Sequence, residues 1–201
     1  MKTRILVTSL AASMSLGLFA SAAFAQTAAS TVQRDVNQQT RIEQGLKSGS
    51  LNTGEAARLE GEQSRIDRLQ ARDLKDGKLN PRERAQLDAA QNKASRDIKA
   101  AKTNDAKGNP QSASSQRMQA DVARNVNQEK RIEQGVKSGD LTRREVGGLE
   151  RGQAKVDHKE AVAGRDGHVS KGEQALVQRA ENHQSRRIHR EKHDGQVRKA
   201  G

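Results

Sequence analysis

The chain has 201 residues, with 37 Lys and Arg against 25 Asp and Glu and a formal net charge of +12. It has no Cys, Trp or Tyr, and its two phenylalanines, Phe19 and Phe24, lie near the N-terminus. Disulfides, lipoprotein anchoring through cysteine and thiolate metal sites are therefore excluded, and so is reading of nucleic acid by aromatic stacking.

Met1-Lys2-Thr3-Arg4 is a short basic segment, followed by an apolar run from Ile5 to Phe19 and by Ala23-Phe24-Ala25. That order is the one a secretory signal peptide uses, so residues 1–25 are expected to be a leader cleaved after Ala25. The run is short and rich in Ser and Ala for a membrane span. The expected destination is the periplasm or the exterior of a Gram-negative bacterium, with no transmembrane segment after processing. Cleavage removes Lys2 and Arg4, so the charge falls from +12 by two to +10, and it leaves no aromatic residue. A basic exported protein attracts polyanions of the envelope. Here, however, the charges are interleaved with Asp and Glu, as on a solvated helical surface.

From residue 26 onward the chain repeats itself at an offset of 90. Arg41-Ile42-Glu43-Gln44-Gly45-Leu46-Lys47-Ser48-Gly49 returns as Arg131-Ile132-Glu133-Gln134-Gly135-Val136-Lys137-Ser138-Gly139. Residues 26–103 and 117–201 are thus two copies of one unit, and 104–116, with Asn109-Pro110 and a Ser-rich run, reads as a flexible linker. Apolar spacing predicts helices over about 31–47, 53–74 and 81–103, then 117–137, 143–163 and 171–194. The first stripe, Val32, Val36, Ile42 and Leu46, keeps its step only if polar Gln39 fills one seam position. The expected fold is all-α: two tandem three-helix units joined by a flexible linker and preceded by a signal peptide.

Four turns of one type join these helices. Gly49, Gly77, Gly139 and Gly167 end a helix, an aliphatic residue follows two positions later, and Asn52, Asn80, Thr142 or Ser170 precedes a Glu by three. This is a capping box. Pro81 stands at a first helical position, where its missing N–H costs nothing.

The turns resemble the second half of an EF-hand loop, most closely at Asp76-Gly77-Lys78-Leu79-Asn80 to Glu83 and at Asp166-Gly167-His168-Val169-Ser170 to Glu173. That resemblance implies calcium ligands at Asp76, Glu83, Asp166 and Glu173. The remaining expected ligand positions before Glu83 hold Arg72 and Leu74, and those before Glu173 hold Val162 and Gly164, so no turn offers more than two carboxylates where calcium needs them. Capping explains Gly, Asn and Glu without a metal. A second metal candidate is His189 with His193, four apart on one helical face and followed by Asp194, a spacing that suits zinc, copper or nickel. All five histidines occur in the second copy, and His158, His168, His183 and His189 align with Arg68, Lys78, Lys93 and Lys99. Exposed surface positions are the alternative reading of them.

Arg131 to Glu145, and more loosely Arg41 to Glu55, resemble the R-I-x-x-G-[LV]-x-x-G-x-L-T-x-x-E repeat of secreted helical-repeat proteins of proteobacteria, a likeness that brings no activity with it. Leu141-Thr142-Arg143-Arg144-Glu145 is more weakly similar to the periplasmic LTxxQ chaperones. No nucleophile elbow, phosphate loop or dinucleotide fingerprint is present. The expected function is a periplasmic, non-enzymatic helical binding or interaction protein, stress-related, whose partner is a protein. The alternatives are a divalent-metal-binding protein, using the EF-hand-like turns or the histidine cluster, and a protein that binds a polyanionic envelope component.

Overall fold

The computed structural model describes residues 17–196, with side chains from Ala28 onward. Residues 1–16 of the expected leader lie outside the described residues. The fold is all-helical: α1 Gly17–Ser48, α2 Thr53–Asp73, α3 Pro81–Thr103, α4 Ala113–Ser138, α5 Arg143–Ala163 and α6 Lys171–Glu191. No strand occurs among the described residues, and none of their helices is long and apolar enough to cross a membrane.

The helix ends follow from local chemistry. Asn52, Asn80, Thr142 and Ser170 each accept a bond from the backbone of the Glu three residues on, and each of those glutamates reaches back to the cap N–H. The α1–α2 and α4–α5 corners also depend on a glycine four residues before the turn. Leu51 N–H donates to the Gly45 carbonyl at 2.9 Å, and Leu141 N–H to that of Gly135 at 3.1 Å. A Cβ on Gly45 or Gly135 would stand 2.5 or 2.6 Å from the Leu51 or Leu141 side chain. The leucine therefore folds back onto bare backbone and closes the helix end. Gly49 and Gly139 supply the left-handed residue, at φ of 72° and 85°.

Six helices in two sets of three fit the duplication, but apart from a small cluster of Ile66, Leu87 and Ala94 between α2 and α3 the apolar clusters draw on both sets. The most extensive packing joins α2 to α5 and α1 to α4, across the copies. Ile42, Leu46 and Leu59 of the first copy share one apolar cluster with Met118, Val122 and Val169 of the second. Ala28, Val32 and Leu74 share another with Ile132, Val136 and Leu149. The partners run antiparallel: α1 meets the end of α4 with its beginning, and α2 does the same with α5. Small residues bring α2 and α5 close. A Cβ on Gly147 would lie 3.2 Å from that of Leu74, one on Gly61 3.5 Å from that of Ala161, and one on Gly164 2.8 Å from that of Ala57. Ser64 Oγ donates to the Ala154 carbonyl at 2.7 Å between them. The arrangement is an internal two-fold, with α3 and α6 flanking a central group of four helices.

The segment between the copies, expected as a linker, makes hydrogen bonds to both of them. Gly108 N–H donates to the Gly49 carbonyl at 2.9 Å, Asn104 Nδ2 to Glu55 Oε1 at 2.6 Å, and Gln119 Nε2 to the Pro110 carbonyl at 2.9 Å. Helix α4 begins at Ala113, four residues before the expected 117, because Ser112 caps it by accepting from Ser115 N–H.

Candidate functional site

Both apolar clusters sit towards the ends of the four central helices. Between them the inward positions are polar. Along α2 the sequence places Glu60, Gln63, Asp67 and Gln70 at steps of three and four, which puts them on one face. Along α5 the same steps give Glu150, Gln153, Asp157 and Glu160. All eight are at most 2 % exposed. α1 adds Asp35, Gln38 and Gln39, and α4 adds Asn125, Gln128 and Glu129, all likewise buried.

The carboxylates gather in two groups. Oxygens of Asp35, Asp67 and Glu150 lie within 4.8 Å of one another, and so do those of Glu60, Asp157 and Glu160. Amide side chains hold each group in place. Gln70 and Gln91 donate to Asp35 at 2.5 and 2.8 Å. Gln39 donates to Glu60 at 2.8 Å. Asn125 donates to Asp157 at 3.1 Å and to Glu160 at 2.7 Å. These donors do not satisfy the groups. Neither oxygen of Glu150 has a hydrogen-bond partner, nor do Glu60 Oε1, Asp67 Oδ2 or Glu160 Oε1. The amide oxygens of Gln39 and Asn125, whose nitrogens already point at the second group, are also unpartnered.

No Lys, Arg or His is among the buried residues described. Arg34, next to Asp35, turns outward to Asp88 and Asn92. Arg124 reaches Glu181, at the α4–α6 contact, at 3.1 Å. The interior groups are left with desolvation and mutual repulsion, and both disfavour the charged form. Burial pushes Asp35 up to about 7 even though Gln70, Gln91 and Arg34 oppose it, and it pushes Glu60 up to about 7. Burial, then the neighbouring carboxylates, raises Asp67, Glu129, Glu150 and Glu160 well above the carboxylate range. Asp157 is raised well above that range by burial and the charge of Glu60, with hydrogen bonding to Asp67 opposing. Further out, burial lifts Asp121 to about 7 and Glu181 to about 8.

The magnitudes decide what such an interior requires. Removing one ionised carboxylate from water costs several kcal/mol even after relaxation. Holding all seven interior carboxyls protonated at pH 7 would cost roughly 25 kcal/mol, at about 1.4 kcal/mol per pH unit above their ordinary values. Total stability of a domain is only about 5–15 kcal/mol. Protons alone are thus a poor neutraliser near pH 7, and bound cations are the efficient alternative. Every available donor is a carboxylate or amide oxygen, which selects hard cations such as magnesium, calcium or manganese over zinc or copper.

The residues singled out by sequence lie elsewhere. Glu83 and Glu173 are engaged in their capping boxes. Asp76 and Asp166 each accept a turn N–H, from Lys78 at 3.0 Å and from His168 at 2.9 Å. His189 and His193 face each other with ring centroids 4.3 Å apart, and His193 Nδ1 is 2.6 Å from the His189 carbonyl oxygen. Asp194 approaches Glu145 and Glu191, forming an outer carboxylate group without either histidine. The interior residues carried a signal that the turns obscured: Glu60, Gln63 and Asp67 recur unchanged at the same offset as Glu150, Gln153 and Asp157. No family model, curated protein or solved structure matches the chain.

Proposed function

We propose that this is an exported, non-enzymatic helical protein of the periplasm or exterior whose interior binds hard divalent cations between its two copies. The observation that carries the reading is Glu150: fully buried, both oxygens unpartnered, facing Asp35 and Asp67, with no buried basic residue to neutralise it. A packing role alone would be met by apolar residues, which usually stabilise as well as or better than buried ionic groups. The complete enclosure of the groups suits storage or structural binding, because it leaves no face for a substrate.

The test is a melt of chelator-treated protein at pH 7.5 with magnesium, calcium, manganese and zinc in turn. A ligand specific to the folded state stabilises it by about 2.7 kcal/mol at one hundred times its dissociation constant, which moves the midpoint several degrees. At least one oxygen-seeking cation is expected to do so in the wild type, and Glu150→Gln is expected to abolish the shift. The reading fails if no cation moves the melt. It also fails if the shift survives Glu150→Gln and disappears instead in Glu83→Gln, Glu173→Gln or the His189→Ala, His193→Ala pair, which would return the site to the turns or the histidines.

A further inference from the structure

We infer that the two carboxylate groups form one two-ion centre, in which Asp67 and Asp157 meet near the internal two-fold and couple the ions. The inference rests on the cation-binding reading and adds to it the number of ions and their proximity.

Four observations lead there. First, the repeat offset exchanges the groups: Asp67 corresponds to Asp157, Glu150 to Glu60, Asp35 to Asn125, and Gln70 to Glu160. A cation position in one group thus implies a counterpart in the other. Second, each group offers three carboxylates close enough to share one ion: an oxygen of each lies within 4.8 Å of the others, and hard divalent cations take such oxygens at about 2.0–2.6 Å. Third, the groups touch. The Ser64–Ala154 bond ties α2 to α5 three residues before each aspartate, and Asp157 stands within hydrogen-bonding reach of Asp67. Ions bridged by shared carboxylates lie about 3.5–4 Å apart. Glu129 is near enough to feel Glu150 and Asp35 of one group and Asp157 of the other. Fourth, each group retains unused oxygens that are fully buried: both of Glu150 in one, and Asn125 Oδ1 beside Asp157 and Glu160 in the other.

Charge argues for two ions as well. Asp35, Asp67, Glu129 and Glu150 on one side and Glu60, Asp157 and Glu160 on the other carry seven negative charges when ionised. One divalent ion would leave five uncompensated, whereas two leave three, a number that a few retained protons can remove.

Manganese(II) is the probe, because its paramagnetism reports distance. Chelator-treated protein at pH 7.5 is titrated with manganese, bound metal is counted by elemental analysis, and electron paramagnetic resonance is recorded at low temperature. Two ions per chain are expected, with an exchange-coupled spectrum growing in as the second ion binds. Asp67→Asn is expected to weaken the second ion at least tenfold and to replace the coupled spectrum with that of an isolated ion. Asp157→Asn serves the same purpose should Asp67→Asn fail to fold, and the wild-type spectrum needs neither variant. One ion per chain, or two that are magnetically isolated, overturns the paired centre while leaving interior cation binding standing. No bound manganese, or binding indifferent to Asp67→Asn, Asp157→Asn and Glu150→Gln alike, overturns the paired centre, and together with a melt that no cation moves it overturns interior binding too.

Discussion

Without metal, this protein should be more stable in mild acid than at neutral pH, the reverse of ordinary acid denaturation. The carboxyls at issue have folded-state pKa values raised above their ordinary ones. Between the two values the folded state holds protons that the unfolded chain has released, so stability falls as pH rises. The contribution is complete below about pH 4 and is lost as pH climbs through about 7, the value to which burial lifts Asp35 and Glu60. From 3.8 to about 7 and from 4.5 to about 7, these two groups alone would remove about 4 and about 3 kcal/mol at 1.36 kcal/mol per unit. The five groups raised still further add to the loss in the same direction. In a chain of this size each kcal/mol moves the melting temperature by about 2–4 °C. The assay is a set of circular dichroism melts in chelator between pH 4.5 and 8, with about 0.2 M salt to screen the basic surface. The midpoint should fall by more than about 10 °C across that range, and saturating manganese at pH 7.5 should restore most of it. Surface groups with lowered values, Asp97 and Glu173, act in the opposite sense but are partly open to solvent, where screening keeps their contribution small. A midpoint that rises with pH, or stays within about 2 °C from pH 5 to 8, would refute the argument that the interior is held neutral by protons or metal.

Three further outcomes test the packing. Gly164→Val should destabilise the chain by about 1–3 kcal/mol in urea unfolding, because a Cβ there meets Met118 and Ala57 at 2.5 and 2.8 Å; Gly172→Ala, with nothing nearer than 3.9 Å, is the matched control. Thr142→Ala removes one capping box and should cost about 1 kcal/mol in the same assay. A chain ending after Asn104 should not fold as a monomer, since the partners of α1 and α2 are gone; size exclusion and circular dichroism should find it either unfolded or dimerised across the former two-fold, and a stable helical monomer would show that each copy has its own core.

The helix ends at the capped turns were legible in the sequence because they depend on interactions a few residues long, whereas α1 begins at Gly17, well before the expected 31. Asn52 with Glu55 and Ser170 with Glu173 form their caps whatever the rest of the chain does, and α2, α3 and α5 end within a residue of where the apolar spacing places them. What packs against what was less accessible. An apolar stripe tells which face of a helix is buried without naming its partner, and two similar copies allow packing between them as well as closure within each. The close contacts at Gly61, Gly147 and Gly164 have no apolar signature, because close approach of helices is signalled by missing side chains.

The interior site was hidden for a related reason. A periodicity argument counts apolar residues as inward and treats a polar residue at a seam position as an interruption. Gln39 stands at such a position between Val36 and Ile42, and it is buried, with its amide on Glu60. The step of three and four does not break at the polar residues. In α1 it runs through Val32, Asp35, Gln39, Ile42 and Leu46, all buried. Its counterpart in α4 runs through Val122, Asn125, Glu129, Ile132 and Val136, also all buried. A duplication preserves the helical phase of every position, so a polar residue on the seam of one copy has a counterpart on the seam of the other, as Asp67 has in Asp157 and Asp35 in Asn125. When the copies then pack antiparallel, seam residues near the middle of each helix are brought to the two-fold, where Asp67 meets Asp157. Two chemically ordinary helices thus generate a concentrated anionic interior that neither copy holds alone, and the basic outer surface, at +12 for the whole chain, gives no sign of it.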